Sequence, residues 1–232
     1  MATKANIYIS STIAAGLTLL AGCLLFEWEF PDMSRYFGYL VLACLGSTWK
    51  IKLPKIRGTM SVNFLFILIG VAQLTIAETM AIGCVAALVQ CLWRPRKRPT
   101  VAQALFNIST LVMSIAISYS LSHALVERDN LLVLLVVAVC TYFVANTGMI
   151  SLVLSLTEDQ KFTKVWRQCY LWSFPYYLIG AGIAGAITLS SRTVGWKTSL
   201  LMLPLIYMVY AYYRVYLSHR TEQNFRSVPA AL

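Results

Sequence analysis

The chain has 232 residues, of which 59% are hydrophobic and only 12% charged, and its mean hydropathy is +0.69. That balance excludes an ordinary soluble domain, which carries about twice the charge. The net charge of +10 does not point to nucleic acid as a partner, because Lys and Arg gather at the ends of apolar stretches, where membrane topology and anionic headgroups account for them.

A hydrocarbon core of about 30 Å needs roughly 20 apolar residues in a helix, and only helices or closed barrels satisfy their backbone hydrogen bonds there. Eight apolar stretches fit this length or nearly so, and the sequence predicts spans at 6–26, 36–52, 60–77, 78–93, 101–122, 131–156, 169–190 and 195–217. The first follows a single Lys4 and lacks a small-x-small cleavage site before Glu27-Trp28-Glu29, so it reads as a retained helix. The second ends in Trp49-Lys50-Ile51-Lys52-Leu53-Pro54, where charge alternates with apolar residues, and is expected to tilt into the headgroups. The expected architecture is an all-α polytopic bundle: one transmembrane domain over 1–217 and a short cytoplasmic tail over 218–232.

Threading these spans with the N-terminus inside leaves only Arg35, Arg128, Arg192 and Lys197, of 19 basic residues, on the outer side. The remainder, from Lys4 through the Arg94, Arg96, Lys97, Arg98 group to Arg226, lie inside. The positive-inside rule then predicts that both termini are cytoplasmic.

Chemistry-bearing residues are few. Cys23, Cys44, Cys84, Cys91, Cys140 and Cys169 fall in or beside apolar spans without paired spacing, which reads as packing and implies neither disulfides nor a metal site. His123 and His219 fall on opposite faces. No hydrolase elbow, phosphate loop, zinc-protease helix or redox Cys pair is present, so no catalytic residue, metal or cofactor is expected.

Polar residues within spans are the natural candidates for a site, since each must find a partner or line a cavity. Asn63, Gln90, Asn107, Asn146 and Ser173 are expected within about 5–15 Å of the inner surface, counted at 1.5 Å per residue. They read either as hydrogen-bonding glue between helices or as the lining of a ligand cavity, with Asn63, Asn107 and Asn146 facing the bundle interior. Glu78 is expected at the start of the fourth span, where a helix N-terminus favours an acid; proton coupling is the alternative role. Trp166, Trp172, Phe174, Tyr176 and Tyr177 cluster around Pro175. They suit interfacial anchoring or a flat apolar ligand held by Trp172 and Tyr176, with Pro175 as a bend inside the seventh span. Gly180/Ala184 and Gly182/Ala186 predict close helix packing.

Several runs are familiar. Gly58-Thr59-Met60-Ser61-Val62-Asn63-Phe64, Ala77-Glu78-Thr79, Leu88-Val89-Gln90-Cys91-Leu92-Trp93, Leu105-Phe106-Asn107 and Trp172-Ser173-Phe174-Pro175-Tyr176-Tyr177-Leu178 resemble the membrane-associated sensor (MASE-type) region of bacterial signalling proteins. The likeness covers roughly residues 35 to 217. In that family the region precedes a cytoplasmic HD-GYP phosphodiesterase, GGDEF cyclase or histidine kinase domain, so the resemblance implies a non-catalytic sensory module of the bacterial inner membrane. Its partners would be the lipid bilayer, a small apolar or amphipathic ligand and a cytoplasmic signalling protein. The tail is too short for an output domain, which leaves a free-standing sensor or a piece of a longer product as the two expectations. A substrate-binding subunit like that of energy-coupling vitamin transporters and a structural membrane scaffold are the competing readings.

Overall fold

The computed structural model describes residues 2–27, 29, 31–52, 59–93, 99–126, 130–197 and positions 204, 207, 208, 210–212 and 215, with the backbone alone at 2, 50–52, 59–61, 168, 169 and 172. Among these residues the fold is helical: α1 (Ala2–Phe26), α2 (Met33–Thr48), α3 (Asn63–Gln73), α4 (Ile76–Leu92), α5 (Val101–Leu125), α6 (Leu131–Glu158), α7 (Phe162–Cys169) and α8 (Phe174–Val194). The exceptions are 3-10 turns at Leu171–Ser173 and at 196–197 and a small antiparallel ladder of β1 (Lys50–Lys52) and β2 (Thr59–Ser61), in which Ile51 pairs with Met60. The described positions from 204 onward are helical too.

Four helices, α1, α5, α6 and α8, are long and apolar enough to cross a membrane. Three match the expected spans at 6–26, 101–122 and 131–156. The fourth is displaced from 169–190, because the polar segment before it folds as the separate helix α7. In α7, Val165 is buried while Thr163, Lys164 and Arg167 are exposed, an amphipathic pattern that cannot run on into an apolar span. Pro175 therefore stands in the first turn of α8 rather than inside a span. There the missing N–H has no intrahelical partner to lose, so it starts the helix without bending it.

The expected span at 60–77 is divided. Thr59–Ser61 forms β2 and only the 11 residues of α3 are helical, about 16 Å of helix against a core of about 30 Å. The period-two alternation of Lys50, Ile51 and Lys52, read above as a tilting helix end, is the strand signal that was missed. At the other end, Thr75 accepts a backbone bond from Glu78 through its hydroxyl, and the Glu78 carboxylate accepts from the Thr75 N–H. This Thr-x-x-Glu capping box starts α4 and so ends α3 two residues earlier. A second capping box, Thr100 with Gln103, starts α5.

Side-chain pairings set the helix directions. Gly16 on α1 lies against Ser109 on α5, and Tyr8 packs on Phe106, so α1 and α5 run parallel. Gly46 lies against Phe66 and Tyr39 bonds Gln73, so α2 and α3 are antiparallel. Gly70 lies against Thr79 across the two-residue break, so α3 and α4 are antiparallel, and Gly83 of α4 lies against Ile115 of α5. Phe64 meets Gly180 and Gln73 meets Thr188, so α3 and α8 run together. Short α3 occupies the centre: Phe64 to Ile69 and Val71 are all buried, against α2, α4, α5, α6 and α8.

Candidate functional site

The break between α3 and α4 concentrates polar groups. Gln73, the last residue of α3, accepts through Oε1 from the Tyr39 hydroxyl of α2 (3.1 Å) and from the Ser191 hydroxyl of α8 (3.0 Å). Its Nε2 donates to Thr188 Oγ1 of α8 at 3.0 Å. One amide thus ties three helices. At the next residue, the Tyr119 hydroxyl of α5 donates to the Leu74 carbonyl at 3.3 Å, one of the backbone oxygens that a helix end leaves without an intrahelical partner. Tyr39, Tyr119 and Thr188 each lie about 9 Å inside the nearer end of their helix.

Glu78 sits beside this node and is fully buried. Its Oε2 accepts from the Thr75 N–H (2.9 Å) and the Thr75 hydroxyl (3.2 Å). Oε1 is buried and has no hydrogen-bond partner among the described residues. The amino end of α4 offsets part of the cost of an acid in an apolar interior. Tyr36 of α2 lies nearby.

A second cluster lies toward the opposite end, where α3 meets α6 and α8. The ring of Phe64 packs on Tyr177 (centroids 4.5 Å) and Tyr176 (5.1 Å), and Phe143 of α6 packs on Tyr177 (5.1 Å) and Phe174 (4.9 Å). Asn146 of α6 lies close to the Tyr177 side chain. At the residue after Asn146, Trp166 Nε1 donates to Thr147 Oγ1 at 2.9 Å, which fastens α7 to α6. The phenyl ring of Phe64 stands where a side chain on Gly180 would have to be.

The expected site residues therefore separate. Asn63 is buried at the start of α3, Asn146 is half-buried on Tyr177, and Tyr176 is buried against Phe64. These three share the aromatic end of the bundle. Gln90 is half-buried on α4. Asn107 is exposed on α5, contrary to the expectation that it faces the interior; Phe106 and Ile108 on either side of it are the buried positions, and the helical rotation carries Asn107 outward. The side chain of Trp172 lies outside the described part of the structure. Pro175 is exposed, and Glu78 belongs to the other cluster. Ser173 is buried, its hydroxyl donating to the Tyr170 carbonyl at 2.7 Å.

What the sequence reading missed is Gln73 with Tyr39, Thr188 and Ser191. The available signal was the amide in Val71-Ala72-Gln73-Leu74-Thr75, immediately before a capping box. Hydroxyls are less legible, because Ser and Thr in apolar helices commonly bond their own i−4 carbonyl, as Ser47, Ser114 and Thr147 do here.

Among the described residues no three His, Cys, Asp or Glu side chains come together as a metal site, and Cys23, Cys44, Cys84, Cys91 and Cys140 form no disulfide with one another. In comparisons with known proteins, the chain matches no family model, no curated protein and no solved structure.

Proposed function

We propose that this protein is a membrane-embedded sensory module, with no catalysis of its own, that takes up a small apolar or amphipathic signal and hands a helix movement to a cytoplasmic signalling protein. The observation that carries this reading is a packed path from the polar node to the segment around Tyr210. Tyr39 bonds Gln73; α2 then runs about 15 Å to Trp49, whose ring stacks on Tyr210 (centroids 5.8 Å) and meets Tyr207 edge-on (5.3 Å). A shift of α2 at the node displaces Trp49 and, through it, the segment around Tyr210. Coupling of this kind travels through contiguous packed elements, and the signal must bind the two arrangements with different affinity to move the population.

In this reading the chain lies in the bacterial inner membrane, makes eight passages counting short α3, and has both termini in the cytoplasm. The alternation of helix directions and the distribution of basic residues support it. The likeness of the Gly58–Phe64 and Trp172–Leu178 runs to MASE-type regions supports the sensory role. The aromatic cluster with Tyr176 and Asn146 is the place for the signal, about 14 Å along α3 from the node.

Purification from native membranes in mild detergent, with mass spectrometry of retained proteins and small molecules, tests the function. A cytoplasmic signalling enzyme retained in stoichiometric amount supports a sensor; neither partner nor ligand, with both clusters fully self-paired, leaves a scaffold.

A transport-related binding subunit is the second reading, favoured by one observation: a buried carboxyl oxygen without a partner stands beside a broken helix pair, an arrangement that suits ion and substrate sites. A retained ATPase together with a bound small molecule would establish it instead.

A further inference from the structure

The described surface holds one feature that neither cluster uses. Between α2 and α4 runs an open groove of about 460 Å³, within the size range of small-molecule sites. The two helices run the same way, and the groove is lined by Val41, Leu45 and Thr48 on α2 and by Val85, Val89 and Trp93 on α4, residues three or four apart that share a helix face. Thr48 turns its hydroxyl back to the Leu45 carbonyl (2.7 Å), so the groove is left apolar along its length.

Eight residues of helix give the groove a length of about 12 Å, close to the hydrocarbon depth of one leaflet, about 15 Å. One end is marked by Trp93, with Trp49 following Thr48 at the end of α2, the residue type that sits at the headgroup level. Beyond that end the sequence turns basic on both sides, with Lys50 and Lys52 after α2 and Arg94-Pro95-Arg96-Lys97-Arg98 after α4. An apolar channel one leaflet deep, ending at Trp and flanked in sequence by six basic residues, complements one kind of molecule: a lipid with an acyl chain and an anionic head.

We propose that the α2–α4 groove is a specific site for one anionic phospholipid, with an acyl chain along the Val41–Val85 ridges and the headgroup at the Thr48–Trp93 end. Basic clusters beside a membrane helix recognise anionic headgroups, and a neutral lipid of equal chain length gains nothing from them. Because α2 also carries Tyr39 and Trp49, the bound lipid holds the helix that leads away from the polar node.

The test uses the full chain in bilayers of equimolar phosphatidylglycerol and phosphatidylcholine, followed by native mass spectrometry. The expected result is one phosphatidylglycerol retained per chain, in roughly fivefold or greater excess over phosphatidylcholine, the factor that a single basic residue near the headgroup supplies. Filling the groove with V41W and V85W should abolish the excess, whereas V136W, on an exposed position of α6, should keep it. Equal retention of the two lipids by the wild-type chain overturns the proposal. So does an excess that survives groove filling, or a dimer that disappears on groove filling, which would make a second copy the occupant. Should the double variant fail to fold, V85F fills the groove more gently, and the wild-type lipid comparison decides by itself.

Discussion

Ser191 donates a 3.0 Å hydrogen bond to the amide oxygen of Gln73, a residue 118 positions earlier in the chain. The same oxygen takes the Tyr39 hydroxyl, so a single side chain at the end of an 11-residue helix holds together helices that sequence separation would leave independent.

Replacing Gln73 by Leu removes three interhelical bonds and leaves the Tyr39 hydroxyl in an apolar interior. At the roughly 0.6 kcal/mol that such bonds average within membranes, the loss should be about 2 kcal/mol, read from the unfolding midpoint in detergent. Gln73→Glu keeps the oxygen that accepts from Tyr39 and Ser191 and loses the donor to Thr188. A smaller decrease is expected for charge-neutral conditions, and a Q73L midpoint equal to wild type would show that the node carries no energy.

Gly180 and Gly182 look equivalent in sequence, yet only the first faces the Phe64 ring, while a Cβ on Gly182 meets nothing within 4 Å. Gly180→Ala should therefore destabilise by about 1–3 kcal/mol, the range for overpacking. Gly182→Ala should be neutral or stabilising by up to about 1 kcal/mol through helix propensity. Equal effects of the two substitutions on thermal stability would contradict the placement of α8 against α3.

The two asparagines also part company. Asn146→Leu removes the amide beside the buried Tyr177 side chain and should cost about 1 kcal/mol, within the range for polar contacts between membrane helices. Asn107→Leu changes an exposed position and should leave the midpoint nearly unchanged. The reverse order would mean that α5 is rotated from the arrangement described.

Asp32 caps α2 by accepting from the Arg35 N–H at 3.0 Å. That bond first, and then the Ser34 hydroxyl and the Arg35 charge, hold its carboxyl below the usual carboxylate range. A lowered value in the folded state means that the stabilisation is complete above the ordinary carboxylate range and fades as the pH falls through the lowered one. Asp32→Ala should cost about 1 kcal/mol at neutral pH, a usual figure for a lost cap. The gap between variant and wild type should close in acid; a gap that persists there would remove the charge from the explanation.

Much of the fold was legible because apolar length is a strong signal. The 25 residues of α5 and 28 of α6 are long and apolar enough to cross a membrane, as their sequences predict. The region from Lys50 to Leu92 was read less well for a physical reason: α3 is buried on every side, so its sequence is uniformly apolar and carries no periodicity that would mark its ends. Its true limits come from local chemistry, the alternating Lys50-Ile51-Lys52 and the Thr75–Glu78 box. For the site, Tyr176 and Asn146 were found because aromatic and amide side chains stand out in an apolar helix. Tyr39, Gln73, Thr188 and Ser191 were not, since only tertiary packing brings four ordinary polar residues to one point.

The central claim is that the Gln73 node sets the position of the helical segment around Tyr210 through α2 and Trp49. The direct measurement is an electron-spin distance between labels at Leu92 and Tyr212, both exposed, in bilayers and with the native cysteines replaced. Breaking the node with Q73L should shift or broaden that distance relative to the wild type while α-helical content is unchanged. A distance distribution that is identical in the two proteins would contradict the account.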